Sequence, residues 1–213
     1  MARQISPTSF ALLGLLSLRS WTTYELARQS ERSLHWFFPR AERAIYQEAK
    51  RLVGLGWAAA AESWVGRRRR TTYRITASGR RALVDWLSQQ PTPLQIESEG
   101  VLRIFFADQS GLAAMRASVH AMHEDARAAL AQLAAMAQQW ETAQMPFPER
   151  GPTNAVAMRL VGDLHRTVAN WADWADGAID QIERGPDSAR QLANEVFADV
   201  ATDASEPDDS AAP

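Results

Sequence analysis

Apolar residues recur at alternating spacings of three and four from Leu112 through Met115, Val119, Met122, Ala126, Ala129, Leu133 and Met136 to Trp140. No strand can use that spacing; a period of 3.5 residues specifies an α-helix with an apolar seam along one side. A second seam follows through Ala157, Val161, Leu164, Val168, Trp171, Ala175, Ala178 and Ile182, after a break at Met145 to Pro152 that holds Pro146, Pro148, Gly151 and Pro152. Two helices of about 45 Å each must therefore fold back as a hairpin. A thin hairpin cannot cover both stripes by itself, so a second copy of the chain is the expected cover. The residues expected to make that dimer are Leu112, Met115, Val119, Met122, Leu133, Trp140, Val161, Leu164, Val168 and Trp171.

The charge is divided as sharply as the pattern. Residues 1 to 90 hold 15 Lys and Arg against 6 Asp and Glu, net +9, and residues 91 to 213 hold 8 against 19, net −11. A compact cationic half suits a polyanionic partner, because each cation set against a phosphate displaces condensed counterions. Pro91 and Pro93 mark the join. The expected organisation is a domain over 1 to 90, a helical domain over 94 to 185, and an acidic tail over 186 to 213. That tail carries a short helix through Leu192, Val196 and Phe197 and is disordered from Asp199 onward. The chain has no cysteine, which removes disulfides and thiolate chemistry and fits a cytoplasmic protein. The run Phe10 to Leu18 is too short to span a bilayer and is followed by no signal-peptide cleavage site, so no membrane partner is expected.

In the basic half, Ser6-Pro7 begins a short buried helix carrying Phe10, Leu13 and Leu16. Thr22-Thr23-Tyr24-Glu25 has capping-box spacing and begins a second helix, running to about Ser33. The Trp36-Phe37-Phe38-Pro39 plug leads into a third helix, about Ala41 to Leu55, stopped by Gly56. Its Ile45, Ala49 and Leu52 share the core face. Trp57 to Val65 and Thr71 to Ile75 read as a β-ribbon with the arginines at its tip, and Thr76 caps a fourth helix. Three helices, a ribbon and a helix make a winged helix-turn-helix, so the fold class is mainly α, with an antiparallel helical dimerisation domain after it.

In that arrangement the third helix reads the major groove of double-stranded DNA. The outward residues Arg40, Arg43, Tyr46 and Gln47 supply long donors and acceptors for base edges, and Lys50 meets phosphate. Arg67, Arg68, Arg69 and Arg70 add phosphate or minor-groove contacts from the ribbon tip. Thr72 and Tyr73 are further backbone candidates, Tyr73 being equally a packing residue.

These residues also carry a family resemblance. Ala11 to Leu16, Tyr24-Glu25-Leu26, Ile45-Tyr46 with Lys50-Arg51-Leu52 and Gly56, and Tyr73 to Thr76 with Gly79-Arg80 resemble the PadR family of bacterial transcriptional regulators. Leu102 to Asp108 before a long helix is similar to the virulence-activator-like C-terminal domain of its longer members. The resemblance covers about residues 8 to 185. It implies a homodimer whose wings bind a partly palindromic operator, a repressor by expectation, and a helical domain that senses a small-molecule effector. Ala44, Ala49 and Gly54 depart from the residues usual in the family, Tyr46 keeps its place, and the acidic tail lies outside the likeness.

Trp140, Trp171 and Trp174 are the candidate effector pocket, although two of them lie on the seams, where packing is the commoner role. His120, His123 and Glu124 share a helix face, but histidines on a helical exterior are usually solvated, and no metal or other cofactor is assigned. No catalytic constellation or phosphate-cradling loop is present in the sequence, so an enzyme is not expected. Two other readings use the acidic coiled coil instead: a protein-interaction adaptor, or an apolar-ligand sensor built on the tryptophans.

Overall fold

The computed structural model describes residues 5–38, 40–142 and 146–203; the side chains of 40–44, Val65, Arg68, Glu141 and Asp203 lie outside that description. The chain divides into two compact units, Met1–Leu94 and Gln95–Pro213. No helix among the described residues is long and apolar enough to cross a membrane.

The first unit runs α1 (Pro7–Leu18), β1 (Trp21–Thr22), α2 (Thr23–Ser33), α3 (Arg40–Gly54), β2 (Ala58–Val65), β3 (Arg68–Ile75) and α4 (Ala77–Leu87). Helix α1 is apolar nearly all round and therefore sits in the middle, with Leu12, Leu13, Leu15 and Leu16 buried beside Leu26, Ile45, Ala49 and Leu52. Phe10 on its flank stacks on Trp86 of α4, centroids 4.8 Å apart. Thr22 and Glu25 form the full capping box of α2. Helix α3 ends in a Schellman motif: Gly56 takes φ +71°, its N–H donates to Val53 O at 3.0 Å, and the Trp57 N–H donates to Leu52 O at 2.9 Å. Thr76 caps α4, and both its hydroxyl and that of Ser78 donate to Gly56 O at 2.7 Å, fastening α4 to the end of α3.

The sheet is antiparallel in the order β1-β3-β2, with Trp21 opposite Tyr73 and Val65 opposite Arg68. The ribbon is longer than the sequence suggests. Gly66 (φ +60°) and Arg67 alone form a two-residue turn of the II′ pattern, and β3 starts at Arg68 rather than Thr71. The four arginines are thus not a tip; only Arg67 is. Alternation along β3 sends Arg69 and Arg70 to opposite faces.

The second unit runs α5 (Glu99–Phe105), a short 3-10 turn at Ala107–Gln109, α6 (Leu112–Glu141), another at Pro148–Arg150, α7 (Gly151–Glu183) and α8 (Pro186–Asp203). Helices α6 and α7 form the hairpin, its core being Val119, Ala172, Ala175 and Ile179 with Ile104, Leu112, Met115 and Trp171 packed on it. The alanines let the two backbones approach. Above this core Arg116 bridges to Asp176 (2.5 Å), Asp180 (2.7 Å) and Glu183 (3.5 Å), and hydrogen bonding to Asp180 and Asp176 pushes its guanidinium further above the ordinary arginine range. His120 and His123 reach Asp176 and Asp173 at 3.2 and 3.3 Å. Helix α5 crosses α6 so closely that a β-carbon at Gly100 would run into the Met122 side chain.

On α7 the buried face passes through Val161, Ala169, Ala172, Ala175, Ala178 and Ile179, which takes in Val161, Ala175 and Ala178 of the expected seam, while Leu164, expected at the dimer contact, is exposed in the single chain. A straight 3.6-residue helix drifts about 20° per heptad against a 3.5-residue seam, so over three heptads the inner face moves to the neighbouring position. The C-terminal segment also forms a continuous helix, α8, as far as Asp203, where a short helix and then disorder are expected from the sequence. Residues 204–213 lie outside the described residues.

Candidate nucleic-acid interface

Three buried side chains, Ile45, Ala49 and Leu52, anchor α3 and so decide what its other face presents. Tyr46 is 60% exposed, and Gln47 and Lys50 are exposed beside it. The rotation of α3 is fixed by Glu48, which accepts from Ser9 Oγ of α1 at 2.6 Å and pairs with Arg51 at 3.3 Å. Arg40 and Arg43 belong to the same helix, but their side chains lie outside the described residues.

The wing lies next to this face. A cleft of about 470 Å³ opens between the start of α2, α3 and β3, lined by Thr22, Thr23, Tyr24, Glu25, Tyr46, Arg69, Arg70 and Thr71. Arg69 is ion-paired with Glu62 across the ribbon, which raises its guanidinium pKa. Arg70 Nη2 lies 3.8 Å from Glu25 Oε2, and the Arg19 guanidinium reaches Glu25 Oε1 at 3.4 Å while stacking 3.6 Å over the Trp21 ring. Donation to Glu25 from the Thr22 backbone N–H and hydroxyl, and then the Arg19 charge, hold its carboxyl below the ordinary carboxylate range. Arg67 is exposed at the turn, and the Arg68 side chain is outside the described residues.

The structure thus brings Tyr46, Arg69 and Arg70 to the lining of one cleft, with Gln47 and Lys50 exposed on α3 and Arg67 exposed at the ribbon turn. Tyr73 does not join them. Paired with Trp21 in the sheet, it is only 5% exposed and is a core residue, so of the two roles open to it, DNA-backbone contact and packing, it takes packing. Thr72 is half-buried between β1 and β2. Sequence reasoning passed over Trp64, opposite Arg69 and largely exposed, and the electrostatic part of Glu25, whose capping role alone was visible from spacing.

In the second unit Val119 and Val161 are buried within the hairpin, and Met122 is covered by α5, so these three serve the chain's own core. Leu112, Met115, Leu133 and Val168 are half-buried. An apolar stripe stays open on α7 at Val156, Leu160, Leu164 and Trp174, with Val101, Leu102, Phe105 and Phe106 open on α5. The three-tryptophan pocket is corrected. Trp140 packs on Gly151 at the start of α7, whereas Trp171 is 20 residues further along that helix, about 30 Å away. Such side chains cannot line one site within a chain. Among the described residues no group of three or more His, Asp or Glu side chains is placed to hold a metal ion.

Residues 98–183 match the family described as Virulence activator alpha C-term. Over that stretch the second unit is similar to a virulence-activator alpha C-terminal domain. Helix α8 lies beyond the matched segment. Over about 80% of its length the chain shares its fold with solved transcriptional regulators. It is similar to Bacillus subtilis PadR in complex with operator DNA, at 21% identity and TM-score 0.67, over 80% of this chain and 98% of that one. A Streptococcus mutans protein, smu.1604c, gives 17% and 0.70 over 80% and 98%. The Vibrio cholerae virulence activator AphA gives 19% and 0.61 over 82% and 99%. At these identities the likeness is one of fold. No curated protein sequence matches the chain.

Proposed function

We propose that this PadR-type chain is a DNA-binding transcriptional regulator. It acts in the cytoplasm as a homodimeric repressor on a partly palindromic operator, and no enzymatic step is assigned to it. The reading is carried by the juxtaposition of the exposed Tyr46, Gln47 and Lys50 face of α3 with the arginine-bearing β3, in a half of the chain whose net charge is +9. Side chains of that length reach base edges from a helix lying in the major groove, and the wing cations meet phosphates. The fold shared with B. subtilis PadR, whose structure is a complex with operator DNA, supports it.

The open stripes on α5 and α7 support the dimer, because Leu160 at 56% and Phe105 at 76% exposure are unusual for such side chains unless a partner covers them. A two-fold dimer would set two α3 helices about 34 Å apart, one turn of DNA. An effector would act by favouring one spacing over another.

Fluorescence anisotropy with a random duplex tests the reading. Log K should fall linearly with log salt, and a protein without duplex affinity at low ionic strength refutes it. On an operator selected from a random library, alanine at Arg67 to Arg70 should flatten the slope by about 0.9 for each arginine that meets a phosphate. Leu160→Asp with Leu164→Asp should give monomers in sedimentation; a persistent dimer would remove the α7 stripe from the interface.

A further inference from the structure

We infer that Glu25 is a specificity-determining residue, whose carboxylate withholds Arg70 from any polyanion that does not seat a strand in the cleft beside α3. The inference rests on the DNA-binding reading. Its starting point is that the capping box does not need the charge. The box asks residue 25 to accept the Thr22 N–H, seen here at 2.8 Å, and a glutamine accepts it equally well. The carboxylate does more: it takes the Thr22 hydroxyl at 2.7 Å, the Arg19 guanidinium through both Nη atoms at 3.4 Å, and Arg70 Nη2 at 3.8 Å. One anion on α2 therefore gathers cations from the end of α1 and from the wing.

The distances decide how this behaves. Arg19 is within hydrogen-bond reach and braced on Trp21, whereas Arg70 is paired by charge without a hydrogen bond and its side chain is half-exposed. Arg70 is the one that a phosphate can take over. A strand lying loosely on the protein is held by long-range attraction and meets a surface where Glu25 cancels local positive charge. A strand seated in the cleft, against Tyr46 and Thr71, brings a phosphate to Arg70 itself and replaces the carboxylate as its partner. Random sequence thus loses a contact that the operator keeps, which widens the difference between them.

The test uses the full-length chain, a random duplex and an operator selected by the wild-type protein. Glu25→Gln should keep the cap and the circular dichroism spectrum. On the random duplex its salt slope should steepen by about 0.9 for the one phosphate gained, roughly eightfold tighter binding at 0.1 M relative to 1 M salt. On the operator the affinity should change by less than twofold. Arg70→Ala supplies the independent arm: it should weaken the operator while leaving the random-duplex slope unchanged, and added to Glu25→Gln it should restore the wild-type slope. An unchanged slope in Glu25→Gln, equal tightening on both duplexes, or an Arg70→Ala loss that is equal on both would overturn the inference while DNA binding stands. A wild-type protein that ignores the random duplex would end both.

Discussion

Replacing Gly79 by alanine should loosen the winged unit, while the same change at Gly100 should not, although an added β-carbon meets a neighbour too closely at both sites. At Gly79 that neighbour is the Trp57 carbonyl, with the Trp57 carbonyl carbon at 2.9 Å and Ile75 Cγ1 at 3.0 Å. The carbonyl cannot swing away cheaply, because it accepts from the Thr76 N–H at 3.0 Å, and Thr76 caps the same helix. Overpacking against fixed atoms costs about 1–3 kcal/mol, and weakening that hydrogen bond about 1 kcal/mol. The better helix propensity of alanine returns up to about 1 kcal/mol. The net loss should be about 2 kcal/mol, a change of roughly 30-fold in the opening equilibrium of α4. At Gly100 the neighbours are Sδ and Cγ of the unbranched, flexible Met122 side chain, with Cγ at 2.7 Å, and a new rotamer there costs about 0.5–1.5 kcal/mol, largely offset by propensity. Hydrogen exchange resolved by peptide reads both sites in one experiment. Protection should fall across α4 and the start of β2 in Gly79→Ala and stay within about twofold of wild type across α5 and α6 in Gly100→Ala. Since Trp57 leads directly into β2, Gly79→Ala should also weaken duplex binding. Unchanged protection of α4, or an equal loss at the two sites, would show that the contact at Trp57 does not position the wing.

Ile179→Ala, at a fully buried site lined by alanines that cannot close over the gap, should destabilise the hairpin by about 3–4 kcal/mol in urea unfolding followed by circular dichroism; a loss below about 1 kcal/mol would contradict the core assignment. Tyr46→Ala should lower operator affinity by 5- to 150-fold, about 1–3 kcal/mol, at unchanged stability. Tyr73→Ala should do the reverse and cost about 3–5 kcal/mol of stability, both read by anisotropy and melting. Glu25 is held below its ordinary pKa of 4.5, so its contribution is complete above pH 4.5 and disappears as pH falls through the lower folded value. The wild-type protein should lose its stability advantage over Glu25→Gln in that window, and parallel pH profiles would argue against it.

Much of the site could be read in advance because its supports are local. Thr22 and Glu25 stand three apart, Gly56 closes α3 and Thr76 opens α4, and each signal acts through backbone groups within a turn of itself. The core face of α3 follows from the same locality, since Ile45, Ala49 and Leu52 can only share one side. The wing was less legible. Four like residues in a row give no alternation from which to place a strand, so Arg68, Arg69 and Arg70 read as a tip until pairing with Val65, Trp64 and Ser63 set the register. Tyr73 illustrates the same limit: its position in β3 is evident, but the face it takes depends on Trp21, 52 residues away.

By itself the sequence determined the helical hairpin, the winged unit, the split of charge between them and the outward placing of Tyr46, Gln47 and Lys50 on α3, because period, caps and turns act over a few residues. Tertiary structure alone decided which seam positions close the hairpin, that Trp140 and Trp171 stand too far apart to share a site, and that Arg70 faces Glu25 across a cleft. Those outcomes depend on register and on the drift between a 3.6-residue helix and a 3.5-residue pattern. Both are settled only when separate segments meet.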